Sequence, residues 1–233
     1  ADWMAQDGIT NATPDYLRAC VERRIKRLAA VPRQVVFVKH YNLTGSHYAY
    51  TEGHSAAQHE RTFKPGAALC RLDLDGPEPV VETLLADPQG VIRDPDVSYD
   101  GKRILFAWKK ADREDDYHLY ERDVATRAVR QLTDGLGVAD YEGCYLPGGG
   151  ILFTSTRCVQ TVDCWWTEVS NLYACDADGR HIRRIAFDQV HDNYPTVTSD
   201  GRVLYTRWEY NDRGQLYPQP LYEMNADGTG QRE

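Results

Sequence analysis

The sequence contains no run of about 18 apolar residues, so it offers no candidate for a membrane-spanning helix. It also lacks a Cys-x-x-Cys-His motif, which excludes attachment of a c-type haem within this stretch. Positive charge is in deficit, because 35 Asp and Glu outnumber 27 Lys and Arg and the net charge is −8. A general nucleic-acid-binding protein needs a basic field to attract phosphates, so we expect no nucleic acid among the partners.

Most of the chain also lacks the periodicity of helices and instead repeats a unit of strands and turns. The clearest copy spans residues 194–230, where the Asp200-Gly201 and Asp227-Gly228 pairs separate short apolar segments. Such pairs supply the positive φ angles that tight hairpin turns require. Corresponding strands begin at Ile104, Ile151 and Val203, which lie 47 and 52 residues apart by their numbers. A period near 50 with strand signals is typical of β-propeller blades.

We therefore predict an all-β fold, a β-propeller with about four four-stranded blades over residues 34–233. The blades are expected at about 34–86, 91–133, 138–187 and 192–233. The first and last should be incomplete, because no strand signal precedes Val35 and no fourth strand follows Asp227-Gly228. Since the chain begins with Ala1 and stops inside the last blade, we also expect it to be a piece of a longer protein.

Residues 1–33 are predicted to form an extension that contains one amphipathic helix. Thr13-Pro14 provides an N-cap followed by a proline at the first helical position, and Pro32 ends the pattern. The apolar positions recur at helical spacing on one face: Leu17, Val21, Ile25 and Leu28.

The connections between the predicted strands fall into two sets of different length. The Asp-Gly turns are short, whereas the loops from second to third strand and those between blades are long and carry most of the unusual residues. Because antiparallel strands alternate in direction, all the long loops should lie on one rim. Loops on a rigid scaffold are where binding residues concentrate. We predict that ligand binding on this rim involves His40, Arg93, Asp94, Asp140, Glu142, Arg157, Asp192 and Glu209.

Two interpretations of these charged residues remain open. Cations such as Arg157 and Arg207 end the second strands, and carboxylates such as Asp140 and Asp192 precede the first strands. They could form a ring of inter-blade ion pairs that orders the rim. Alternatively, they could form a polar pocket for an anionic or polyhydroxylated ligand, or for a divalent metal held by histidine and carboxylate. The candidate metal ligands are His47 and His191. We expect no other cofactor in this stretch.

The alternative to a binding or scaffold function is an enzyme that resembles a polysaccharide lyase. In such a site a histidine or tyrosine would remove a proton from a uronate, while a cation or metal neutralises its carboxylate. The candidate catalytic residues would be His47, Tyr48, Tyr141, His191 and Arg207.

Six cysteines are present, and two of them, Cys158 and Cys164, lie in the same predicted loop. Their spacing allows a small disulfide in an oxidising compartment, and free thiols are the other interpretation. A zinc site would need two further ligands at suitable spacing.

Several segments resemble proteins related to the hydrazine synthase alpha subunit, including VVFVKH at residues 35–40, RDPDVSYDGKRI at 93–104 and MNADGTGQ at 224–231. Residues 118–121, 188–191 and 205–210 match as well, and the resemblance covers nearly everything from Val35 onward. It implies WD-like repeats of the kind found in the periplasmic Tol-system propeller. Relatives of this kind are usually exported bacterial proteins with further blades and domains.

The resemblance therefore implies a periplasmic or secreted binding domain. Expected partners are a small molecule, a carbohydrate or another protein, together with the remaining domains of the same chain. Hydrazine synthase itself joins nitric oxide and ammonium with c-type haems. That activity does not carry over to a stretch without a haem motif. A subunit of a multihaem redox enzyme, with its haem sites outside this fragment, is a further alternative.

Overall fold

The computed structural model of the protein describes residues 7–8, 10, 13–29, 32–41, 63–76, 78–163, 167–210 and 219–233. The chain divides into two compact units. One comprises Ala1–Val35 with Leu72–Val81, and the other comprises Val36–Arg71 with Glu82–Glu233. The predicted extension at 1–33 thus forms a unit together with a later segment of the chain.

The first unit contains helix α1 (Pro14–Ala29). The helix begins as its sequence predicts, because Thr13 accepts a hydrogen bond from the backbone N–H of Tyr16 through its Oγ1 atom at 3.2 Å. On its apolar face Leu17 is 52% exposed and Val21 57% exposed. Among the described residues, no helix combines the length and the apolarity needed to cross a membrane.

The described strands form four antiparallel sheets, whose strand orders are β1-β2-β3, β4-β5-β6-β7, β8-β9-β10-β11 and β12-β13-β14. The strands are β1 (Gln34–Lys39), β2 (Ala67–Asp73), β3 (Val80–Asp87), β4 (Val91–Val97), β5 (Arg103–Lys109), β6 (His118–Asp123), β7 (Val129–Gln131), β8 (Asp140–Tyr145), β9 (Ile151–Ser155), β10 (Asn171–Cys175), β11 (Arg183–Arg184), β12 (Asp192–Val197), β13 (Val203–Arg207) and β14 (Leu221–Met224). Each sheet is a meander in which neighbours along the chain pair with one another.

Apolar residues fill the space between successive sheets of the second unit. Leu69, Ile92 and Phe106 belong to one cluster, formed by β2, β4 and β5. A second cluster joins the sheets β4–β7 and β8–β11, and a third joins β8–β11 and β12–β14. Every residue of β8, β9 and β10 is buried, because these strands are covered on both faces. The predicted all-β propeller class is therefore confirmed, with four-stranded sheets in the middle and three-stranded sheets first and last.

Candidate functional site

The first strands of three successive sheets carry the same irregularity at the same place. Each of β4, β8 and β12 shifts register against its neighbour part-way along the strand. The residue at each shift has positive φ: Asp94 at 52°, Glu142 at 52° and Tyr194 at 54°. Residues other than glycine rarely adopt such angles, so the three β-bulges are a repeated and specific feature of the fold.

The side chain at one bulge bonds to the backbone of the next. Asp94 Oδ2 accepts the N–H of Glu142 at 3.1 Å, and Glu142 Oε2 accepts the N–H of Tyr194 at 2.8 Å. Arg93 adds a charged link, because its Nε lies 2.5 Å from Asp94 Oδ2 and its Nη2 lies 3.3 Å from Glu142 Oε1. The predicted ligand-binding residues Arg93, Asp94 and Glu142 thus join the first strands of three sheets.

A cavity of about 260 Å³ opens beside these bulges. Three equivalent positions of each strand line it: Asp94, Pro95 and Asp96, then Glu142, Gly143 and Cys144, then Tyr194, Pro195 and Thr196. Its three carboxylates each accept a backbone N–H of a following sheet, since Asp96 Oδ2 accepts the N–H of Tyr145 at 2.8 Å. These carboxylates therefore hold the sheets together.

Glu142 has an unusual charge state for a carboxylic acid. Burial raises its pKa to about 7, although the guanidinium of Arg93 favours the ionised form. Besides the N–H of Tyr194, its Oε2 accepts a hydrogen bond from Thr154 Oγ1 at 2.8 Å. The folded chain therefore retains a proton on Glu142 at pH values where an exposed glutamate has lost it.

This retained proton predicts a pH-dependent stability. As pH rises from the ordinary value of 4.5 to about 7, the unfolded state releases the proton and the folded state keeps it. The stabilisation is therefore complete below pH 4.5 and is lost as pH rises through 7. A Glu142→Gln variant has no proton to lose, so its free energy of unfolding should depend less steeply on pH, by up to about 1.4 kcal/mol per pH unit.

Urea unfolding at pH 5, 6 and 7, followed by tryptophan fluorescence, measures this slope. Glu223→Gln is the matched control, because Arg232 and Arg202 lower the pKa of Glu223, which then titrates below this window. Equal slopes in the wild type and the Glu142→Gln variant would contradict the prediction.

Asp140 and Arg157 form a second buried pair. Arg157 donates two hydrogen bonds to the carboxylate of Asp140, from Nε to Oδ1 at 2.9 Å and from Nη2 to Oδ2 at 2.6 Å. Burial of Asp140 opposes ionisation, but His118 and Arg157 outweigh it and lower its pKa. The cation after β9 thus pairs with the carboxylate that begins β8 of the same sheet, while His118 of the preceding sheet lies 3.7 Å away. Arg157 Nη2 also donates to Asp134 O, and Asp140 Oδ1 also accepts a hydrogen bond from Ser155 Oγ at 2.7 Å.

A second cavity, of about 190 Å³, lies between the loop before β12 and the end of β13. Its lining consists of charged, polar, aromatic and aliphatic residues: Phe187, Asp188, Gln189, Val190, Arg207, Trp208, Glu209 and Tyr210. We call this space the Arg207 cavity. It brings together two of the predicted residues, Arg207 and Glu209.

Arg207 is held in place from several sides. Its Nε lies 3.3 Å from Asp192 Oδ1, and its Nη2 lies 2.7 Å from Asp188 Oδ2. Three further side chains contact the guanidinium: Tyr205, Gln231 and Tyr222. The ring centroid of Tyr222 lies 4.1 Å from Arg207 Cζ. The Nη1 atom has no hydrogen-bonding partner among the described residues. The guanidinium of Arg207 is therefore fixed at the wall of the cavity.

Negative charge exceeds positive charge around this cavity. Asp188 and Glu209 both line it, and Glu209 accepts a hydrogen bond from the hydroxyl of Tyr222. Asp192 is fully buried behind them, and burial together with the neighbouring Asp188 raises its pKa well above the ordinary value. Arg207 opposes that rise. Even with Asp192 protonated, two carboxylates and one guanidinium line the cavity.

His191 lies behind the cavity wall and does not line it. Its ring stacks on the indole of Trp208, with centroids 5.5 Å apart, and Trp208 packs on Tyr210 at 4.6 Å. Its Nδ1 accepts the backbone N–H of Ser170 at 3.2 Å. A neutral ring whose Nδ1 accepts this hydrogen bond carries its proton on Nε2. In this structure His191 supports the aromatic wall.

The other predicted residues lie apart from the Arg207 cavity. Tyr141 belongs to the core between the second and third sheets, where its ring centroid is 5.1 Å from Arg93 Cζ. His40 follows β1, with Nδ1 2.8 Å from Tyr41 O, and lines a separate cavity of about 540 Å³. The predicted residues His47 and Tyr48 lie outside the described residues.

The predicted disulfide likewise involves a residue outside the described ones, Cys164. Its partner Cys158 donates a hydrogen bond from Sγ to Val169 O at 3.1 Å. Within the part of the chain that the structure describes, no three His, Cys, Asp or Glu side chains are arranged to hold a metal ion.

Sequence reasoning missed six of the eight residues that line the Arg207 cavity, among them Phe187 and Asp188. Both lie in the connection between the third and fourth sheets, just before the predicted residues His191 and Asp192. A carboxylate four residues ahead of another in an inter-blade loop was a signal that could have been used for Asp188. Phe187 carried no comparable signal.

No family model matches the chain, and no curated protein matches its sequence. Several solved structures are similar in fold. Hydrazine synthase from Kuenenia stuttgartiensis superposes with a TM-score of 0.62 at 17% identity, over 86% of this chain and 31% of that one. A putative TolB from Agrobacterium tumefaciens gives a TM-score of 0.55 at 20% identity, over 71% and 55% of the two chains.

An oligogalacturonate lyase in complex with manganese gives a TM-score of 0.54 at 15% identity, over 86% of this chain and 49% of that one. The chain thus spans between about a third and about half of the length of these proteins. All of them are propeller proteins, and at such low identity the likeness concerns the fold alone. The chain has the fold of a β-propeller domain.

Proposed function

We propose that this chain is a binding domain of an exported bacterial protein and that the Arg207 cavity binds a small, neutral, polyhydroxylated ligand such as a sugar. The observation that carries the proposal is that Arg207 Nη1, which has no hydrogen-bonding partner among the described residues, belongs to a side chain that lines one cavity with the carboxylates of Asp188 and Glu209. The resemblance to exported relatives of the hydrazine synthase alpha subunit supports the location.

The donors and acceptors of the cavity favour hydroxyl groups. A guanidinium only donates hydrogen bonds and a carboxylate only accepts them, whereas a hydroxyl does both. A ligand with several adjacent hydroxyls can therefore satisfy Arg207 and Glu209 together. Because the hydrogen bonds involve charged groups, each contributes about 1.5–3 kcal/mol when made in a desolvated site.

The charge of the cavity argues against an anionic ligand. Arg207 already contacts Asp188 and Asp192, and these carboxylates offset the attraction of its positive charge for the carboxylate of a uronate. The lyase alternative needs such a cation, and it is therefore the weaker proposal. A cavity of about 190 Å³ also lies below the roughly 300–1,000 Å³ of sites for drug-sized ligands, so it suits a single sugar ring.

Isothermal titration calorimetry with glucose, galactose, galacturonate and glucosamine tests the proposal. We expect a neutral hexose to bind more tightly than galacturonate by about tenfold, because the anion meets an excess of negative charge. Absence of binding by both neutral sugars, or tighter binding of galacturonate, would overturn it.

Two variants locate the site. Arg207→Lys keeps the charge that Asp192 needs but loses the planar donor group, so affinity for the neutral sugar should fall by about tenfold or more. Glu209→Gln removes a charged acceptor and should have a similar effect. Glu223→Gln is the matched control, because it also replaces a glutamate by glutamine. Glu223 follows Tyr222 in β14 and does not line the cavity, so this variant should bind the sugar like the wild type.

A further inference from the structure

Phe187 is an exposed aromatic residue at the edge of the Arg207 cavity. It lines the cavity, yet 71% of its surface remains exposed to solvent. The residue precedes Asp188 in the chain, so their Cα atoms are about 3.8 Å apart. Because Phe187 and Asp188 both line the cavity, the phenyl ring borders the space that a ligand would occupy.

The ring rests on a cation that is itself fixed. Arg184 Cζ lies 5.0 Å from the centroid of the Phe187 ring, a cation–π contact. Arg184 Nε donates to Ala186 O at 2.8 Å, and its Nη2 lies 3.3 Å from both Gln160 Oε1 and Asp188 O. With one face supported and most of its surface exposed, the ring forms a flat apolar platform beside a polar cavity.

We propose that Phe187 is a second subsite of the same binding site, where the second ring of an oligosaccharide stacks when the first ring occupies the Arg207 cavity. The inference rests on the proposed function. A sugar ring has an apolar face of C–H groups, and burying that face against a phenyl ring removes apolar surface of both partners from water. The ligand is then an oligosaccharide of at least two neutral units.

Calorimetry with glucose and cellobiose, and with galactose and β-1,4-galactobiose, tests the subsite. In the wild type the disaccharide should bind about tenfold more tightly than its monosaccharide, because the second ring buries additional apolar surface. Phe187→Ala should bring this ratio to about one, and Phe187→Trp should preserve or raise it.

Leu136→Ala is the matched control, since Leu136 is fully exposed on another inter-blade loop of the same rim and its loss should leave the ratio unchanged. An unchanged ratio in Phe187→Ala would overturn the subsite while leaving the proposed function intact. Equal loss of the ratio in Leu136→Ala would indicate a broad apolar surface and would also overturn it. If neither sugar of a pair binds the wild type, the proposed function itself fails and the subsite with it.

Discussion

Replacement of Arg157 by alanine is expected to lower the free energy of unfolding by about 3–5 kcal/mol. Arg157 makes two hydrogen bonds to Asp140, a residue with no solvent exposure. Removal of the guanidinium leaves a buried carboxylate whose pKa is lowered partly by this contact. The remaining partners are Ser155 Oγ at 2.7 Å and His118 at 3.7 Å, which cannot replace a charged two-point contact. Urea unfolding at pH 7 measures the loss.

Two further variants separate the buried pair from a general effect of lost charge. Arg157→Lys keeps a cation but cannot make the planar two-point contact, so an intermediate loss is expected. Arg180→Ala breaks an ion pair with Asp178 in which the arginine side chain is 78% exposed, and its effect should stay below about 0.5 kcal/mol. Similar effects of Arg157→Ala and Arg180→Ala would contradict the role given to burial.

Replacement of Gly179 by alanine should be at least as damaging, and the chain contains its own control. Gly179 and Gly201 both follow an aspartate in a hairpin turn, with φ angles of 82° and 83°. A Cβ atom on Gly179 would lie 1.9 Å from Leu132 O of the preceding sheet, whereas one on Gly201 would meet nothing within 4 Å. The two positions therefore share the cost of a left-handed alanine and differ only in the clash between sheets.

We expect Gly201→Ala to cost about 1–2 kcal/mol and Gly179→Ala to cost more than about 3 kcal/mol, since the backbone of the neighbouring sheet must move. For a chain of this size each kcal/mol lowers the melting temperature by about 2–4 °C, so thermal denaturation followed by circular dichroism resolves the two variants. Equal melting temperatures would show that the third sheet can shift away from Leu132 without cost.

The fold was predictable because short-range sequence patterns determine where its strands and turns lie. Asp-Gly turns and alternating apolar segments recur at a nearly constant spacing, and the structure confirms sheets at those places. The bulges were not predictable. Positive φ at Asp94, Glu142 and Tyr194 is imposed by packing between sheets, and none of the three is glycine, which would have signalled it.

The charged residues of the site were predictable only in part. Their types and strand ends could be derived from the sequence, which is why Arg207, Asp192 and Glu209 were candidates. Their partners depend on the angle at which each side chain leaves the sheet. Arg157 and Arg207 pair with carboxylates of their own sheets, whereas Glu142 pairs with Arg93 of another sheet. Distances between loops remote in sequence decide such pairings, and no local pattern encodes them.

The bonds between bulges make the sheets non-interchangeable. The carboxylate of Asp94 accepts the backbone N–H of Glu142, and the carboxylate of Glu142 accepts the backbone N–H of Tyr194. The equivalent residue of the fourth sheet is Tyr194, which is 47% exposed. Its side chain ends in a phenol and not in a carboxylate. The second and third blades can therefore each bond to the first strand of the blade that follows, through the carboxylates of Asp94 and Glu142. A copy of the third blade placed after the fourth would meet a phenol and not a carboxylate at Tyr194, so blade order is part of what this sequence specifies.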